Sequence, residues 1–279
     1  MRAGLGFERR LSILRRSAVV LIAFFVFVSR NDGASLLGHE IVPGHTADIQ
    51  FPVDEYFQNY AAEGGNPKPT TGRMVFTAPK NFDPSRAWPI LIVTSTTDAN
   101  RTSPMDAKWY EQPATREGWI VLATDATIHP QHDSTPWRLA MTAAALEDIR
   151  REWPQSARWP IAFAGFSGGA KRSCVLAAML AKTGTIRICG IFLGGINEDR
   201  LTPAYNEFKP PPDFLNTPIW ISAGLSDPRA RLAKHEAVQL SIKRAGFKQI
   251  QLGIYPGGHE LNPAEVTRAL RWFREVGKF

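Results

Sequence analysis

A single serine lies between glycines at the end of an apolar run. The stretch reads Gly165-Phe166-Ser167-Gly168-Gly169, which matches the pattern G-x-S-x-G. In this pattern a strand turns sharply into a helix with the serine at the apex, and small neighbours are needed because the backbone is strained there. The hydroxyl of Ser167 would then be exposed at the carboxyl end of a sheet, with the N–H of Gly168 directed at a forming oxyanion. The pattern therefore predicts that Ser167 is a nucleophile.

Two other interpretations of this stretch remain open on the residues alone. A glycine-rich turn can serve only to pack a strand closely against a helix, and such turns also bind nucleotides. Neither G-x-G-x-x-G nor G-x-x-x-x-G-K-[ST] occurs here, which disfavours nucleotide binding. The apolar run before Ser167 and the helix-like segment after it are the context that a nucleophile requires.

Candidates for a base and an orienting acid also follow apolar runs. A serine hydroxyl is a poor nucleophile without a base. Asp227 comes just after the run at residues 218–223, and His259 comes just after the last run, at residues 250–255. We predict that His259 accepts the proton of Ser167 and that Asp227 holds the imidazole in place.

The sequence contains weaker candidates for both roles. His129 and His132 lie in a loop after a strand and are the alternative bases, whereas His235 falls inside a predicted helix and is expected to face solvent. An aspartate before a proline, as at Asp227, is also a common turn or helix cap. The alternative acids are Asp125, Glu198 and Asp213.

Short apolar runs alternate with longer amphipathic segments through most of the chain. The runs lack polar alternation, which is typical of strands buried on both faces of a mainly parallel sheet. The predicted strands are residues 73–78, 89–94, 119–124, 160–166, 188–193, 218–223 and 250–255. The predicted helices are residues 104–116, 135–152, 168–182, 230–245 and 263–276, the last with Asn262 as its N-cap and Pro263 in its first turn. This alternation predicts an α/β fold with helices on both faces of the sheet.

With these elements placed, residues 72–279 resemble an α/β-hydrolase, in which Ser, Asp and His occur in this order along the chain. Residues 74–84 and 88–93 resemble the opening of secreted esterases of the polyhydroxybutyrate depolymerase, feruloyl esterase and dienelactone hydrolase-like groups. The resemblance implies an α/β-hydrolase fold without a large lid domain. It also implies hydrolysis of carboxylic esters through an acyl-enzyme, with no metal and no organic cofactor.

The resemblance further implies a second backbone donor to the oxyanion, from the loop after residues 89–94. Esterases of these groups carry His-Gly there, whereas this chain reads Thr94-Ser95-Thr96-Thr97. A backbone donor needs no particular side chain, so Thr96 or a neighbour is expected to serve beside Gly168.

The loops that follow the strands are expected to form the substrate site. These are residues 97–106, 125–137 and 196–215, and the last of them shows no clear helix or strand pattern. We predict substrate contacts from Phe166 and Trp137. Three further aromatic residues of the last loop either form an apolar or sugar-facing surface or only anchor the loop: Tyr205, Phe208 and Phe214. The expected partner is a small-molecule or polymer-derived ester.

Residues 1–36 differ from the rest of the chain. Five arginines precede an apolar run at residues 18–28, which is typical of a secretory signal and is short for a helix that spans a bilayer. A cleaved export signal is the favoured interpretation, followed by an uncleaved N-terminal membrane anchor and then by a buried core helix. We therefore expect a periplasmic or extracellular protein, with residues 37–71 as an N-terminal extension and residues 72–279 as the catalytic domain.

Charge and cysteine content exclude some classes of protein. Residues 1–36 hold six arginines and two acidic residues, so they account for +4 of the formal net charge of +7. The remainder is too small to indicate a nucleic-acid surface. His129 and His132 lack the further ligands of a metal site. Cys174 and Cys189 lie in apolar segments, which favours buried free thiols over a disulfide.

Other functions fit the same residues. A serine peptidase or an acyltransferase can use the same fold and side chains, and a binding protein can keep the fold without the chemistry. The sequence gives no indication of an oligomeric state.

Overall fold

The computed structural model describes residues 33–97, 101–132 and 134–279. Residues 1–32, which form most of the export signal or anchor predicted at residues 1–36, lie outside these ranges. Across the residues that are described, no helix has the length and apolar character needed to cross a membrane.

The central sheet has eight strands and follows a short ribbon of two. The ribbon consists of β1 (Ser35–Leu36) and β2 (His39–Glu40), and the strands of the sheet are β3 (Thr46–Pro52), β4 (Thr71–Thr77), β5 (Ile90–Thr94), β6 (Ile120–Ala126), β7 (Ile161–Phe166), β8 (Ile188–Gly194), β9 (Ile219–Gly224) and β10 (Ile250–Tyr255). Their order across the sheet is β10-β9-β8-β7-β5-β6-β4-β3. Strands β5 to β10 are parallel, and β4 and β3 complete one edge in antiparallel pairing.

Helices cover both faces of the sheet. They are α1 (Glu55–Ala61), α2 (Ser103–Arg116), α3 (Thr135–Glu152), α4 (Gly168–Lys182), α5 (Leu201–Phe208), α6 (Leu232–Arg244) and α7 (Pro263–Gly277). On one face α2 and α7 pack with Leu91 and Val93 of β5. On the other face α3, α4 and α6 pack with Ile90 and Ile92 of the same strand. Because alternate residues of one strand serve two cores, its apolar run is continuous.

This arrangement confirms the α/β-hydrolase fold predicted from the sequence. The seven predicted strands and five predicted helices are present, with bounds that agree within two residues. Helix α7 begins as predicted: the Asn262 side chain accepts a hydrogen bond from the N–H of Ala264 at 2.9 Å, and Pro263 lies in the first turn.

Three longer elements were not predicted. Strand β3 alternates exposed and buried residues, with Ile49 and Phe51 in the core, so it lacks the continuous apolar run of the parallel strands. Helix α5 lies in the stretch 196–215, for which no pattern was found, and carries Pro203 in its first turn. The segment 37–71 supplies β3 and α1, and α1 packs on α3. The sheet therefore begins before residue 72.

Cys174 and Cys189 are buried free thiols, which confirms the favoured prediction. Cys174 belongs to α4 and lies in the core on one face of the sheet, and Cys189 belongs to β8 and lies in the core on the opposite face. Burial raises the pKa of both thiols above the usual range. The sheet therefore separates two unreactive thiols.

His235 lies in a helix, as predicted, but its side chain is fully buried, so the expectation that it faces solvent is wrong. His235, Val238 and Ile242 are spaced by three and four residues and share the buried face of α6. Burial lowers the pKa of His235 below its usual value. The carbonyl of Arg231 and the charge of Asp227 act in the opposite direction but are weaker.

This burial predicts that acid destabilises the fold through His235. The unfolded chain, with a histidine pKa of about 6.5, binds the proton more tightly than the folded chain does. The free energy of unfolding should therefore be at its full value above about pH 6.5 and fall as the pH drops through the lowered pKa of the folded state. Urea unfolding of the wild type and His235→Gln between pH 5 and pH 8 measures this slope. The exposed His39 supplies the control His39→Gln. An unchanged acid slope in His235→Gln would assign the loss to other groups.

Candidate active site

Ser167 lies at the sharp turn between β7 and α4. Its backbone has φ 56° and ψ −116°, a conformation that residues other than glycine rarely adopt. Such strain persists only where the surrounding structure enforces it, and it is concentrated at functional sites. The turn raises the Ser167 hydroxyl above the carboxyl edge of the sheet, where it lines a cleft.

The glycines on either side of Ser167 are required by close backbone contacts. A Cβ atom on Gly165 would lie 2.2 Å from the carbonyl carbon of Gly169, and a Cβ atom on Gly169 would lie 2.3 Å from the carbonyl oxygen of Thr94. The side chain of Thr94 also donates a hydrogen bond to the carbonyl of Gly169 at 2.7 Å. These contacts fix the start of α4 against the end of β5, so G-x-S-x-G is a packing requirement as well as a pattern.

Three side chains form a hydrogen-bonded row at this edge of the sheet. His259 Nε2 lies 3.1 Å from Ser167 Oγ, and His259 Nδ1 lies 2.7 Å from Asp227 Oδ2. An ionised carboxylate only accepts hydrogen bonds, so Nδ1 carries the proton and the lone pair of Nε2 faces the serine hydroxyl. In this tautomer His259 can accept the hydroxyl proton.

Asp227 is held as a carboxylate by backbone donors. Its Oδ1 accepts hydrogen bonds from the N–H groups of Arg229 and Ala230, both at 2.8 Å. Burial alone would raise the pKa of Asp227, but the Ala230 N–H, the His259 ring and the Arg229 N–H together bring it below its usual value. The predicted acid is therefore ionised at neutral pH.

The loops that carry Asp227 and His259 are packed on each other. Ser226 N–H donates to the carbonyl of Gly257 at 2.9 Å. A Cβ atom on Gly224 would lie 2.2 Å from the carbonyl oxygen of Gly258. The ring of Phe166 lies against the imidazole, with 4.8 Å between the ring centroids. The imidazole is therefore held by its surroundings as well as by Asp227.

The two predicted oxyanion donors are neighbours. Gly168 is the first residue of α4, where N–H groups have no partner within the helix. A Cβ atom on Gly168 would lie 3.2 Å from the Cα of Thr96, so the loop after β5 directly covers the start of the helix. Both residues line cavities beside Ser167.

A buried arginine holds the loop that contains Thr96. Arg138 of α3 is 4% exposed, and its Nη1 donates to the carbonyl oxygen of Ser95 at 2.5 Å and to the Ser95 hydroxyl at 3.2 Å. The Ser95 hydroxyl in turn donates to the carbonyl of Arg101 at 2.6 Å. Hydrogen bonds from the side chains of Arg138 and Ser95 therefore hold this loop in place.

Two cavities meet at Thr96. The larger, about 940 Å³, contains the Ser167 and His259 side chains and is further lined by Thr96, Thr97, Arg101, Asp106, Trp109, Phe166, Arg229, Glu260, Leu261 and Pro263. The smaller, about 600 Å³, lies along α4 and is lined by Tyr60, Thr96, Thr135, Pro136, Gly168, Lys171, Arg172, Val175, Met179, Arg200, Glu207 and Phe208. There is room for a ligand on both sides of the loop after β5.

Among the residues predicted to contact substrate, Phe166 lines the larger cavity, whereas Trp137 does not reach either cavity. Trp137 is 1% exposed and packs in the hydrophobic core under α3, so its predicted contact with substrate is corrected. The N–H of Trp137 donates to the Ser134 hydroxyl at the start of α3, and the indole packs in the core from this first turn. Phe208 lines the smaller cavity, but Tyr205 and Phe214 pack on Phe247 and anchor the loop.

The alternative bases and acids lie elsewhere. His132 is tied through its backbone to Asn66, and neither it nor His129 lines the cleft. Asp125 is buried and accepts from the N–H of Ala126, and Glu198 pairs with Lys171 and Arg200. Asp213 lies in a 3₁₀ turn just before the amino end of β9, and it lines a separate cavity.

Several residues at the site were not singled out from the sequence. Arg101 stacks on Trp109 with 4.1 Å between the guanidinium carbon and the ring centroid, and pairs with the buried carboxyl of Asp106. Arg138 shares a face of α3 with Thr142, which is also buried. A charged residue on the buried face of an alanine-rich helix is a signal that could have identified Arg138.

In the described part of the chain, no group of three or more His, Cys, Asp or Glu side chains could hold a metal ion.

Solved esterase structures share this fold. An esterase from Pyrobaculum calidifontis superposes with a TM-score of 0.57 at 14% identity, covering 84% of this chain and 87% of its own. A ferulic acid esterase gives a TM-score of 0.57 at 12% identity, covering 83% of this chain and 99% of its own. An esterase from Pyrococcus furiosus gives 0.51 at 13% identity, covering 84% and 91%. At these identities the likeness shows a shared α/β-hydrolase fold.

No protein-family model matches the chain, and no curated protein matches it in sequence.

Proposed function

We propose that the protein is a serine hydrolase that cleaves carboxylic esters through an acyl-enzyme intermediate. The observation that carries the proposal is the row of hydrogen bonds from Ser167 through His259 to Asp227, at 3.1 Å and 2.7 Å. Its position at the carboxyl edge of an α/β-hydrolase sheet supports the same conclusion.

In the first half of the reaction, Ser167 Oγ attacks the ester carbonyl while His259 Nε2 takes the hydroxyl proton. Asp227 stabilises the imidazolium that forms and keeps Nδ1 protonated. His259 then gives its proton to the departing alcohol oxygen, which leaves the acyl group on Ser167. In the second half, water takes the place of the alcohol, and the same proton transfers release the carboxylic acid.

The N–H groups of Gly168 and Thr96 are the donors that we assign to the oxyanion. Gly168 contributes the unpartnered N–H of the first residue of a helix, where the helix dipole also favours negative charge. Thr96 contributes the N–H of the loop that covers it. Removing one such donor typically costs about 3 kcal/mol of transition-state stabilisation.

The two cavities support an ester with substantial groups on both sides of the carbonyl. The spaces of about 940 Å³ and 600 Å³ lie on either side of Thr96. One would hold the acyl group and the other the alcohol. The substrate class that we propose is a small-molecule ester or the end of an ester polymer.

Hydrolysis of p-nitrophenyl esters from acetate to decanoate, with labelling by a fluorophosphonate, tests the proposal. We expect measurable hydrolysis of at least one ester and a single phosphonate adduct, located on the peptide that contains Ser167 by mass spectrometry. Labelling at Ser167 with hydrolysis of amides but not esters would favour a peptidase. Labelling with acyl transfer to an added alcohol in preference to water would favour an acyltransferase. The absence of both labelling and hydrolysis would favour a binding protein and contradict the proposal.

A further inference from the structure

A buried hydrogen bond acts on the peptide group that contains the second oxyanion donor. Arg138 Nη1 donates to the carbonyl oxygen of Ser95 at 2.5 Å. That carbonyl and the N–H of Thr96 belong to one planar peptide unit, which is trans like the other described peptides. In a trans peptide the C=O and the N–H point in opposite directions. The hydrogen bond from Arg138 therefore constrains the direction in which the Thr96 N–H points.

We propose that Arg138 is a positioning residue for catalysis, which orients and polarises the Ser95–Thr96 peptide so that the Thr96 N–H can donate to the oxyanion. This inference rests on the proposed function, because it concerns the same oxyanion. It goes further by assigning a role to a side chain that does not line the cleft.

The polarisation follows from the charge of Arg138. A hydrogen bond from an ionised donor is stronger than a neutral one, and bonds in series strengthen one another in a poorly solvated region. A guanidinium on the carbonyl oxygen draws electron density from the amide, which makes the Thr96 N–H a better donor. The side chain is 4% exposed, so water does little to screen this effect.

Two buried carboxyl groups lie close enough to Arg138 to be affected by its charge, although Asp106 pairs directly with Arg101. Asp106 on α2 and Asp125 at the end of β6 are 1% and 3% exposed. Burial raises the pKa of both carboxyls, and the positive charge of Arg138 acts against that rise. The two carboxyl groups and Arg138 therefore come from three different elements, α2, β6 and α3.

Packing alone does not explain an arginine at this position. The residues around Arg138 on α3 are mostly small or apolar, and a leucine or methionine would fill the space without the desolvation of a charge. The guanidinium donates to the carbonyl and the hydroxyl of Ser95, which belongs to the loop that the proposed mechanism uses.

The test compares Arg138→Met, which keeps the length of the side chain but removes its charge and donors, with Arg138→Gln and Arg138→Lys. Thr142→Val is the matched control. Thr142 lies one turn further along α3 and is buried, and its described side-chain hydrogen bond, at 3.1 Å, goes to Thr124 of β6 and not to the loop. Each variant is assayed on the best p-nitrophenyl ester, with folding checked by circular dichroism.

For Arg138→Met we expect kcat to fall by about tenfold to a hundredfold with KM changed less than about threefold, because loss of an oxyanion donor acts on the transition state. Affinity for an alkyl boronic acid, which forms a tetrahedral adduct with a nucleophilic serine, should fall by the same factor as kcat/KM. Arg138→Gln should also lower kcat more than it changes KM, but by a smaller factor. Arg138→Lys should recover part of the loss, and Thr142→Val should keep the wild-type kcat.

Different outcomes separate this inference from the proposed function. A folded Arg138→Met or, if that variant does not fold, a folded Arg138→Gln with wild-type kcat and boronate affinity overturns the inference alone. The same holds if Thr142→Val loses kcat to the same extent, since the effect would then be structural. A wild-type protein that neither hydrolyses esters nor reacts with a phosphonate overturns the proposed function first.

Discussion

Replacing Ser167 by alanine is expected to lower kcat for ester hydrolysis by about 10⁴- to 10⁶-fold, to the residual rate that binding and the oxyanion donors alone provide. The reason is that the proposed route needs Oγ as the attacking atom, and no other hydroxyl lies within hydrogen-bond distance of His259 among the described contacts. Initial rates on the best p-nitrophenyl ester measure the loss. Ser241→Ala, on the remote helix α6, is the control and should keep the wild-type rate.

The strained backbone at Ser167 gives this prediction a second readout. With φ 56° and ψ −116°, this position suits glycine better than any residue with a Cβ. Ser167→Gly should therefore be as inactive as Ser167→Ala but about 1 kcal/mol more stable than it, after the greater flexibility of glycine in the unfolded chain is allowed for. Urea unfolding of the two variants measures the difference. Activity near the wild-type rate in either variant would remove Ser167 as the nucleophile.

The parallel part of the fold is predictable because its strands are buried on both faces. Every residue of β7, which reads IAFAGF, is buried, and so is every residue of β5. A continuous apolar run is the signal that such strands leave in a sequence. Strand β3 lies at the edge and buries only alternate residues, and its two core residues, Ile49 and Phe51, are too few to distinguish it from a loop.

The three side chains of the hydrogen-bonded row were found from the sequence because strand ends are recognisable. In a parallel sheet the carboxyl ends of neighbouring strands lie at one edge, so Ser167, Asp227 and His259 had to approach each other once β7, β9 and β10 were placed. Contacts between side chains from distant segments leave no such trace. Trp137 was assigned to the site because its loop is adjacent, but the rotation of α3 directs the indole into the core.

Arg138 is a second example of a contact between distant segments that the sequence does not reveal. The residue that contacts it, Ser95, lies 43 positions earlier in the chain. Nothing local to either residue indicates that they meet. The resemblance to esterases predicted a donor in this loop but expected His-Gly there. The structure provides instead a loop held by a buried guanidinium.

Replacing Asp227 by asparagine is expected to lower kcat by about 10⁴-fold while leaving the fold in place. The size of the effect follows from the hydrogen bonds of the carboxylate. Oδ1 accepts from the N–H groups of Arg229 and Ala230, so the carbonyl oxygen of the asparagine amide must occupy that position. The amide NH₂ then faces His259 Nδ1, where the wild type has Oδ2 at 2.7 Å.

An amide in this orientation reverses the tautomer of His259. Because the NH₂ group can only donate, Nδ1 must accept, and the ring proton moves to Nε2. Nε2–H cannot take the proton of Ser167, so the base is lost although each side chain keeps its position. Nitrogen chemical shifts of labelled histidine report the tautomer directly, and rates on the best ester report the loss. Asp213→Asn, at an exposed site away from the cleft, is the control. An Asp227→Asn variant with protonated Nε2 and a wild-type rate would show that the reaction does not use His259 as its base.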